Sequence, residues 1–502
     1  MRNRKRNIYS RAGSLNPSKS MFDLSYSKLF DCDMGQLIPV MCDEVVPGDF
    51  FKIGNQAVVR FQPMVAPILH EINVYCHYFF VPYRLLWDDW ETFITGGISG
   101  EETPAIPTWS PTSRGRYSLW DYLGFPEDVV PTGAYPLTFP RDAYNLLWNE
   151  YYRDETLQVE VLLTNESMLQ RNWEKDYFTS ALPWQQRGTG PALPVAGTAS
   201  AVWDDALFGQ NGSPDNVSLY VGTSNQLGTQ GQRDTELLNL FNDNTVDLST
   251  ASTFDIADLR LAFQIQKWME RNARCGARYT EFLQAHFSVS PRDERLQRPE
   301  YIGGTKSPII VSEVLQTSST DTESPQGNMA GHAISVNEGY AGKYHVKEYG
   351  LIMGIMSVMP RSVYASQGVQ RQWLKRTKFD FFFPEFVNLS EQAIENAEIC
   401  AVHNNTTHNQ GLFGYQGRYD ELRQKNNMIC GAMRSTFDYW HLARIFNPAS
   451  PPALNTDFIT CNPDKRIFAV ENVPGLIVHF SNLIKAFRPL PLSAEPGLID
   501  HH

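Results

Sequence analysis

Ile68 to Trp87 reads ILHEINVYCHYFFVPYRLLW, and its alternation decides the fold class. Ile72, Val74, Cys76, Tyr78 and Phe80 fall on one face of an extended strand, because successive side chains point to opposite sides. The other face carries Asn73, Tyr75, His77, Phe79 and Val81, nearly as apolar, so both faces are expected to be covered. Upstream, Gln36 to Arg60 holds β-prone runs interrupted by Pro39, Pro47-Gly48 and Gly54-Asn55, each read as a tight turn. Downstream, Leu86, Trp90, Phe93 and Ile94 shift to helical spacing, with Gly96-Gly97 as a stop.

The far end of the chain is again β-prone. Lys343 to Pro360 predicts a strand or a bent pair, with Gly350 and Gly354 as bulge or kink points, and Leu476 to Leu490 predicts another strand. Between the two ends lie helical patterns at Asp142 to Tyr152 and at Ile256 to Phe287. In the second, Leu259, Ala262, Phe263, Ile265, Trp268 and Met269 form one stripe, read as core packing rather than a cofactor site.

From Gln185 to Asp255 the composition changes: 34 of 71 residues are Gly, Ser, Thr, Asn or Gln, and no lysine occurs between Lys175 and Lys267. So long a stretch of turn formers, with Trp203, Phe208 and Tyr220 scattered through it, predicts an ordered surface excursion. Its acids outnumber its bases, so it would be repelled by a polyanion; we expect it to face outward and meet a partner.

The 502 residues carry a net charge of −12, which argues against a chain coated with nucleic-acid-binding charge. Charge is unevenly placed, however. Arg2, Arg4, Lys5, Arg6, Arg11 and Lys19 stand in the first twenty residues without an acid, leaving −18 on the remainder. Such an arm suits phosphates, each contact releasing counterions, and a solvated tail is the competing reading. Seven widely spaced cysteines without a C-x-x-C pair, and no apolar leader, predict a protein made in a reducing cytoplasm. The most apolar run, Gly350 to Pro360, is too short to span a bilayer.

Catalytic patterns are missing. His70-Glu71 is followed by Val74 where a zinc-protease motif needs His, and Gly342-Lys343 lacks the upstream glycine of a phosphate loop. The terminal Asp500-His501-His502 is read as a packed or solvated end, and no metal or cofactor is expected. Arginine exceeds lysine by 29 to 14, a bias suited to interfaces.

Several stretches together resemble one family. They are Phe22 to Ser25 (FDLS), Asp43 to Asp49 (DEVVPGD), Phe79 to Trp87 (FFVPYRLLW), Asp176 to Trp184 (DYFTSALPW), Arg260 to Lys267 (RLAFQIQK), Leu296 to Gly304 (LQRPEYIGG) and Pro496 to His502 (PGLIDHH). The chain is similar to the major capsid proteins of gokushoviruses, single-stranded DNA bacteriophages of the Microviridae. The resemblance carries no shared pattern over Gln185 to Asp255. It implies a mainly β fold: a single eight-stranded jelly roll of the viral capsid type with large helical and loop insertions. Eight strands of roughly six residues fill only about 50 positions, leaving most of the chain to connections.

The implied organisation is a basic arm over 1–20, one jelly-roll domain over 21–502 with a surface insertion at about 185–255, and an extended proline-rich tail at about 489–502. The implied role is structural, not enzymatic: about 60 copies close into a T=1 icosahedral virion shell. Implied partners are the packaged circular single-stranded DNA, a pilot protein, a small DNA-binding protein and a bacterial receptor, with assembly in the host cytoplasm and no membrane insertion. On this reading Arg2, Arg4, Lys5, Arg6 and Arg11 contact DNA, while Trp203, Phe208 and Tyr220 belong to a receptor-facing insertion, which in related capsids protrudes at the threefold axes. The alternative from another class is a bacterial carbohydrate-binding or carbohydrate-active β-sandwich, with Trp109, Trp120 and Trp203 as sugar platforms. A DNA-binding scaffold fits poorly with the −18 body.

Overall fold

The computed structural model describes residues 19–98, 100–191, 256–275, 278–290, 292–315 and 329–493, with short strands at 201–202, 219–221, 227–229 and 245–246. Contacts divide the chain into two units, residues 1–185 with 275–502, and residues 186–274.

The larger unit is built on two antiparallel sheets. Its strands are β1 (Ser20–Asp23), β2 (Tyr26–Cys32), β3 (Ile38–Val45), β4 (Phe50–Phe61) and β5 (Ile72–Pro82), followed much later by the remainder. The smaller unit supplies β6 (Ala201–Val202), β7 (Leu219–Val221), β8 (Leu227–Thr229) and β9 (Thr245–Val246), paired as β6 with β9 and β7 with β8. Then come β10 (Glu300–Pro308), β11 (Ile310–Leu315), β12 (Met329–His345), β13 (Gly350–Pro360), β14 (Glu391–Glu395), β15 (Leu412–Gly417) and β16 (Leu476–Arg488).

One sheet runs β1-β16-β4-β12-β11, with β2 also on β16; the other runs β10-β5-β13-β3. β1 and β2 pair with successive segments of β16, as one interrupted strand would. β10 and β11 are separated by Ile309 alone and belong to different sheets, as one strand crossing a corner would. Counted as passes of the chain, the sheets therefore order as 1-8-3-6 and 2-7-4-5, with the crossing pass 5 also touching pass 6.

Burial follows the two periodicities. In β4, Phe51, Ile53, Ala57 and Val59 are sealed while Lys52, Gln56 and Arg60 face out, so this sheet has one wet face. In β5 and β13 both faces are covered, as the alternation of Ile72 to Val81 predicts. Ile72, Val74, Cys76, Tyr78 and Phe80 enter the core between the sheets, with Phe51, Val59, Val478 and Phe480. Phe79 and Val81 pack instead under a helical layer of Phe139, Ala143, Tyr144 and Leu147.

That layer comprises α1 (Trp90–Thr95), α2 (Leu119–Tyr122) and α3 (Phe139–Leu147). α1 ends on Gly96 at φ +77°, as expected from Gly96-Gly97; a Cβ there would lie 2.6 Å from the Gly100 carbonyl oxygen. α3 runs on through a π turn at Trp148–Tyr152, matching the helical pattern of Asp142 to Tyr152.

Two expected turns are strand interior. Gly54-Asn55 lies in the middle of β4, where Asn55 is fully buried and donates Nδ2 to Tyr78 OH at 3.2 Å and Thr305 Oγ1 at 3.0 Å across the sandwich. The opposite sheet satisfies the amide, so no turn is required. Pro39 sits in β3, an edge strand, opposite Ile355 and beside a shift in register, a place where a residue without an N–H is tolerated in a sheet. Pro47-Gly48 is a turn, with Gly48 at φ +96°.

The long helical pattern divides into α4 (Ile256–Cys275) and α5 (Tyr279–Phe287). Its stripe is not core: Phe263 and Trp268 are 65% and 50% exposed, and Ile265 is exposed too. A 3.6-residue period places side chains on one face without supplying anything to cover it.

Candidate interaction surfaces

Beyond the sandwich, the chain between β13 and β16 builds a lobe around Tyr177, Phe178, Tyr364, Ile394, Ile399, Phe413 and Phe458. Asp176 organises its entry: Oδ1 accepts from the Phe178 and Thr179 amides at 3.0 and 2.9 Å, and Tyr364 OH donates to Oδ2 at 2.8 Å. The DYFTSALPW stretch thus acts as the anchor between lobe and body.

Inside the lobe, carboxylates and cations are matched. Glu398 accepts from Tyr177 OH at 3.0 Å, from Arg371 Nη1 at 3.2 Å and from the Glu395 amide at 2.9 Å. Burial pushes Glu398 up to about 7, against the pull of the Arg371 guanidinium. Arg376 holds Glu395 with both terminal nitrogens, at 2.5 and 2.6 Å, and Lys375 lies 3.3 Å from Glu421. Beside these pairs opens a cavity of about 400 Å³, lined by Tyr177, Glu398, Arg371 and several amide side chains. Ser366 at its wall has φ +52° and a buried hydroxyl without a hydrogen-bond partner.

The outer surface of the lobe exposes a run of large apolar side chains. Trp373, Phe379, Phe381, Phe382 and Phe383 are all exposed, as are Leu389, Leu422 and Met428. The signal was present in the sequence as KRTKFDFFFPEF over 375–386, but hydrophobic runs are read as core by default.

The sequence-predicted residues fare differently. Trp109 and Trp120 are 1% and 0% exposed, packed edge to face at 4.9 Å, with their N–H groups donated to Glu166 Oε1 at 2.8 Å and the Pro126 carbonyl at 2.7 Å. Both are pinned in the interior, which removes them as sugar platforms. Arg2, Arg4, Lys5, Arg6, Arg11, Trp203 and Phe208 lie outside the described residues, as do His501 and His502; Tyr220 belongs to β7. Among the described residues, no cluster of His, Cys, Asp and Glu could hold a metal ion, and no helix is long and apolar enough to cross a membrane.

A two-sheet antiparallel sandwich whose connections outweigh its strands, and whose lobe shows aromatic side chains to solvent, defines a protein built to contact others. Residues 12–498 match the family described as capsid protein (F protein), and the chain belongs to that family of phage capsid proteins. It is 34% identical to capsid protein VP1 of Chlamydia phage 1, over 98% of each chain. It is also 33% identical to capsid protein VP1 of Bdellovibrio phage phiMH2K, over 97% of each. Capsid protein VP1 of Spiroplasma virus 4 is 30% identical over 96% of this chain and 95% of its own length. Two of the resemblance stretches hold the sheets together: DEVVPGD ends β3 and forms the turn after it, and LQRPEYIGG enters β10, where a Cβ on Gly303 would lie 2.0 Å from the Ala341 carbonyl oxygen.

Proposed function

We propose that this chain is the subunit of a small T=1 icosahedral shell, about 60 copies closing around a circular single-stranded DNA genome, with no catalysis of its own. The observation that carries this reading is the pass order 1-8-3-6 and 2-7-4-5, the arrangement of a jelly roll whose two sheets share eight passes, in a chain of the phage capsid family. The burial of Trp109 and Trp120 weakens the carbohydrate alternative.

On this reading Arg2, Arg4, Lys5, Arg6 and Arg11 line the interior and neutralise phosphates without reading bases. The segment around Trp203, Phe208 and Tyr220 faces outward to a bacterial receptor, and a pilot protein and a small DNA-binding protein complete the virion assembled in the host cytoplasm. Electron microscopy of the purified chain tests the assignment: closed shells of uniform size are expected. Persistent monomers that turn over a glycan would overturn it. Replacing Arg2, Arg4, Lys5 and Arg6 by Ala should weaken DNA binding and flatten its salt dependence, and an unchanged slope would remove the arm from the DNA.

A further inference from the structure

The exposed aromatics of the lobe form one continuous surface. The Phe382 ring meets that of Tyr419 at 5.1 Å, tilted by 58°, Tyr419 OH donates to the Phe381 carbonyl at 3.0 Å, and the Leu422 amide bonds to the Tyr419 carbonyl at 3.0 Å. Phe379 and Phe383 both meet Phe386, at 5.8 and 6.0 Å. Lys425 and Met428 continue the surface towards residues 370–372 through Gln372 and Gln370. Trp373 is 74% exposed, Phe379 and Phe382 are 53%, Phe381 is 58% and Phe383 is 41%. With aromatic side chains of roughly 150–250 Å² each, and Leu389, Leu422 and Met428 about half open, the apolar area is roughly 700 Å². That exceeds the roughly 300–600 Å² patch of an ordinary monomer and approaches the roughly 800 Å² that each partner contributes to a stable interface.

We propose that this surface, Trp373 with Phe379 to Phe383, Leu422 and Met428, is where one copy of the chain packs against a second copy. The inference rests on the capsid reading and names the face that the assembly uses. A basic stretch running into aromatics also suits stacked nucleotides, but here Arg371, Lys375 and Arg376 are held by carboxylates of the same lobe. Arg371 pairs with Glu395 and Glu398, Arg376 grips Glu395, and Lys375 pairs with Glu421, while Lys378 covers the Phe379 ring at 5.0 Å. Phosphate binding gains from uncompensated cations; a rim whose arginine and lysine side chains are mostly paired, around an apolar centre, is the anatomy of a protein interface. A closed shell made from one chain also obliges every subunit to bury such a face on its neighbours.

Hydroxyl-radical footprinting of the full wild-type chain, as free subunits and as shells, provides the primary test. Oxidation of Trp373, Phe381 and Phe382 should fall about tenfold on assembly, and Phe381→Ser should raise the concentration needed for assembly about tenfold. Shells that form while these side chains stay as reactive as in the free subunit would overturn the proposal and leave the capsid reading intact. So would Phe381→Ser shells that assemble normally but bind less single-stranded DNA, which would give the surface to nucleic acid. Should Phe381→Ser fail to fold, the wild-type footprint still decides. If the wild-type chain makes no shells at all, the capsid reading fails, and this inference with it.

Discussion

Arg488, the last residue of β16, closes on Asp49 in the turn between β3 and β4: Nη2 and Nε lie 3.0 and 3.1 Å from Oδ2 of a carboxylate with no exposed surface. The same oxygen accepts the Val46 amide at 3.0 Å, and Arg488 also donates to the Glu44 carbonyl at 2.8 Å. The end of β16 is thereby fastened to the turn that carries the chain from one sheet to the other, across 439 residues. Arg488→Met keeps the packing over Phe51 but leaves a buried carboxylate unpaired. We predict a loss of about 3–5 kcal/mol, measured as urea unfolding of the isolated subunit.

Glu398 confers a pH dependence. Its carboxyl ordinarily titrates at 4.5 and in the folded lobe at about 7, so the folded chain keeps a proton that the unfolded chain has released. The stability it contributes is full below pH 4.5 and is lost as pH rises to about 7. Asp43, which burial raises to about 6, acts in the same direction. Glu398→Gln should therefore flatten the decline in unfolding midpoint between about pH 4.5 and 7 relative to wild type. Parallel midpoint curves for the two proteins would refute the assignment.

Glu166 locks the loop that covers the tryptophan pair. Its Oε2 accepts from the Thr112 amide and hydroxyl at 2.8 and 2.6 Å and from the Ser113 amide at 2.7 Å, while Oε1 holds Trp109. Glu166→Ala leaves a buried indole N–H without its acceptor, at a cost of about 1–3 kcal/mol. Hydrogen exchange at Thr112 and Ser113 should accelerate well before the sheets open.

Gly354 permits a close approach between neighbouring strands of its sheet. A Cβ at that position would lie 2.7 Å from Tyr78 Cε1 and 3.0 Å from Met41 Cβ, beside the register shift at Gly354/Ile355. Gly354→Ala should destabilise the subunit by about 1–3 kcal/mol through overpacking, read as a lower thermal midpoint. Gly431, at φ +70° with open space around it, should tolerate added volume better than it tolerates the strained backbone.

The local patterns were legible in the order of residues alone. The two-residue alternation of Ile72 to Val81 requires a strand covered on both faces, and the glycines after Ile94 stop a helix, because each depends only on neighbours along the chain. Contacts between distant segments were decided by the tertiary structure. Asn55 sits in a strand because Tyr78 and Thr305 reach it from the other sheet, and Trp109 is interior because Glu166 and Trp120 surround it. The opposite fates of similar side chains follow the same logic: Phe79 is sealed by α3, while Phe381 and the stripe through Phe263 and Trp268 stand open. Hydrophobicity sets what a side chain gains by leaving water, but only the assembled chain determines whether its own residues cover it or a partner must.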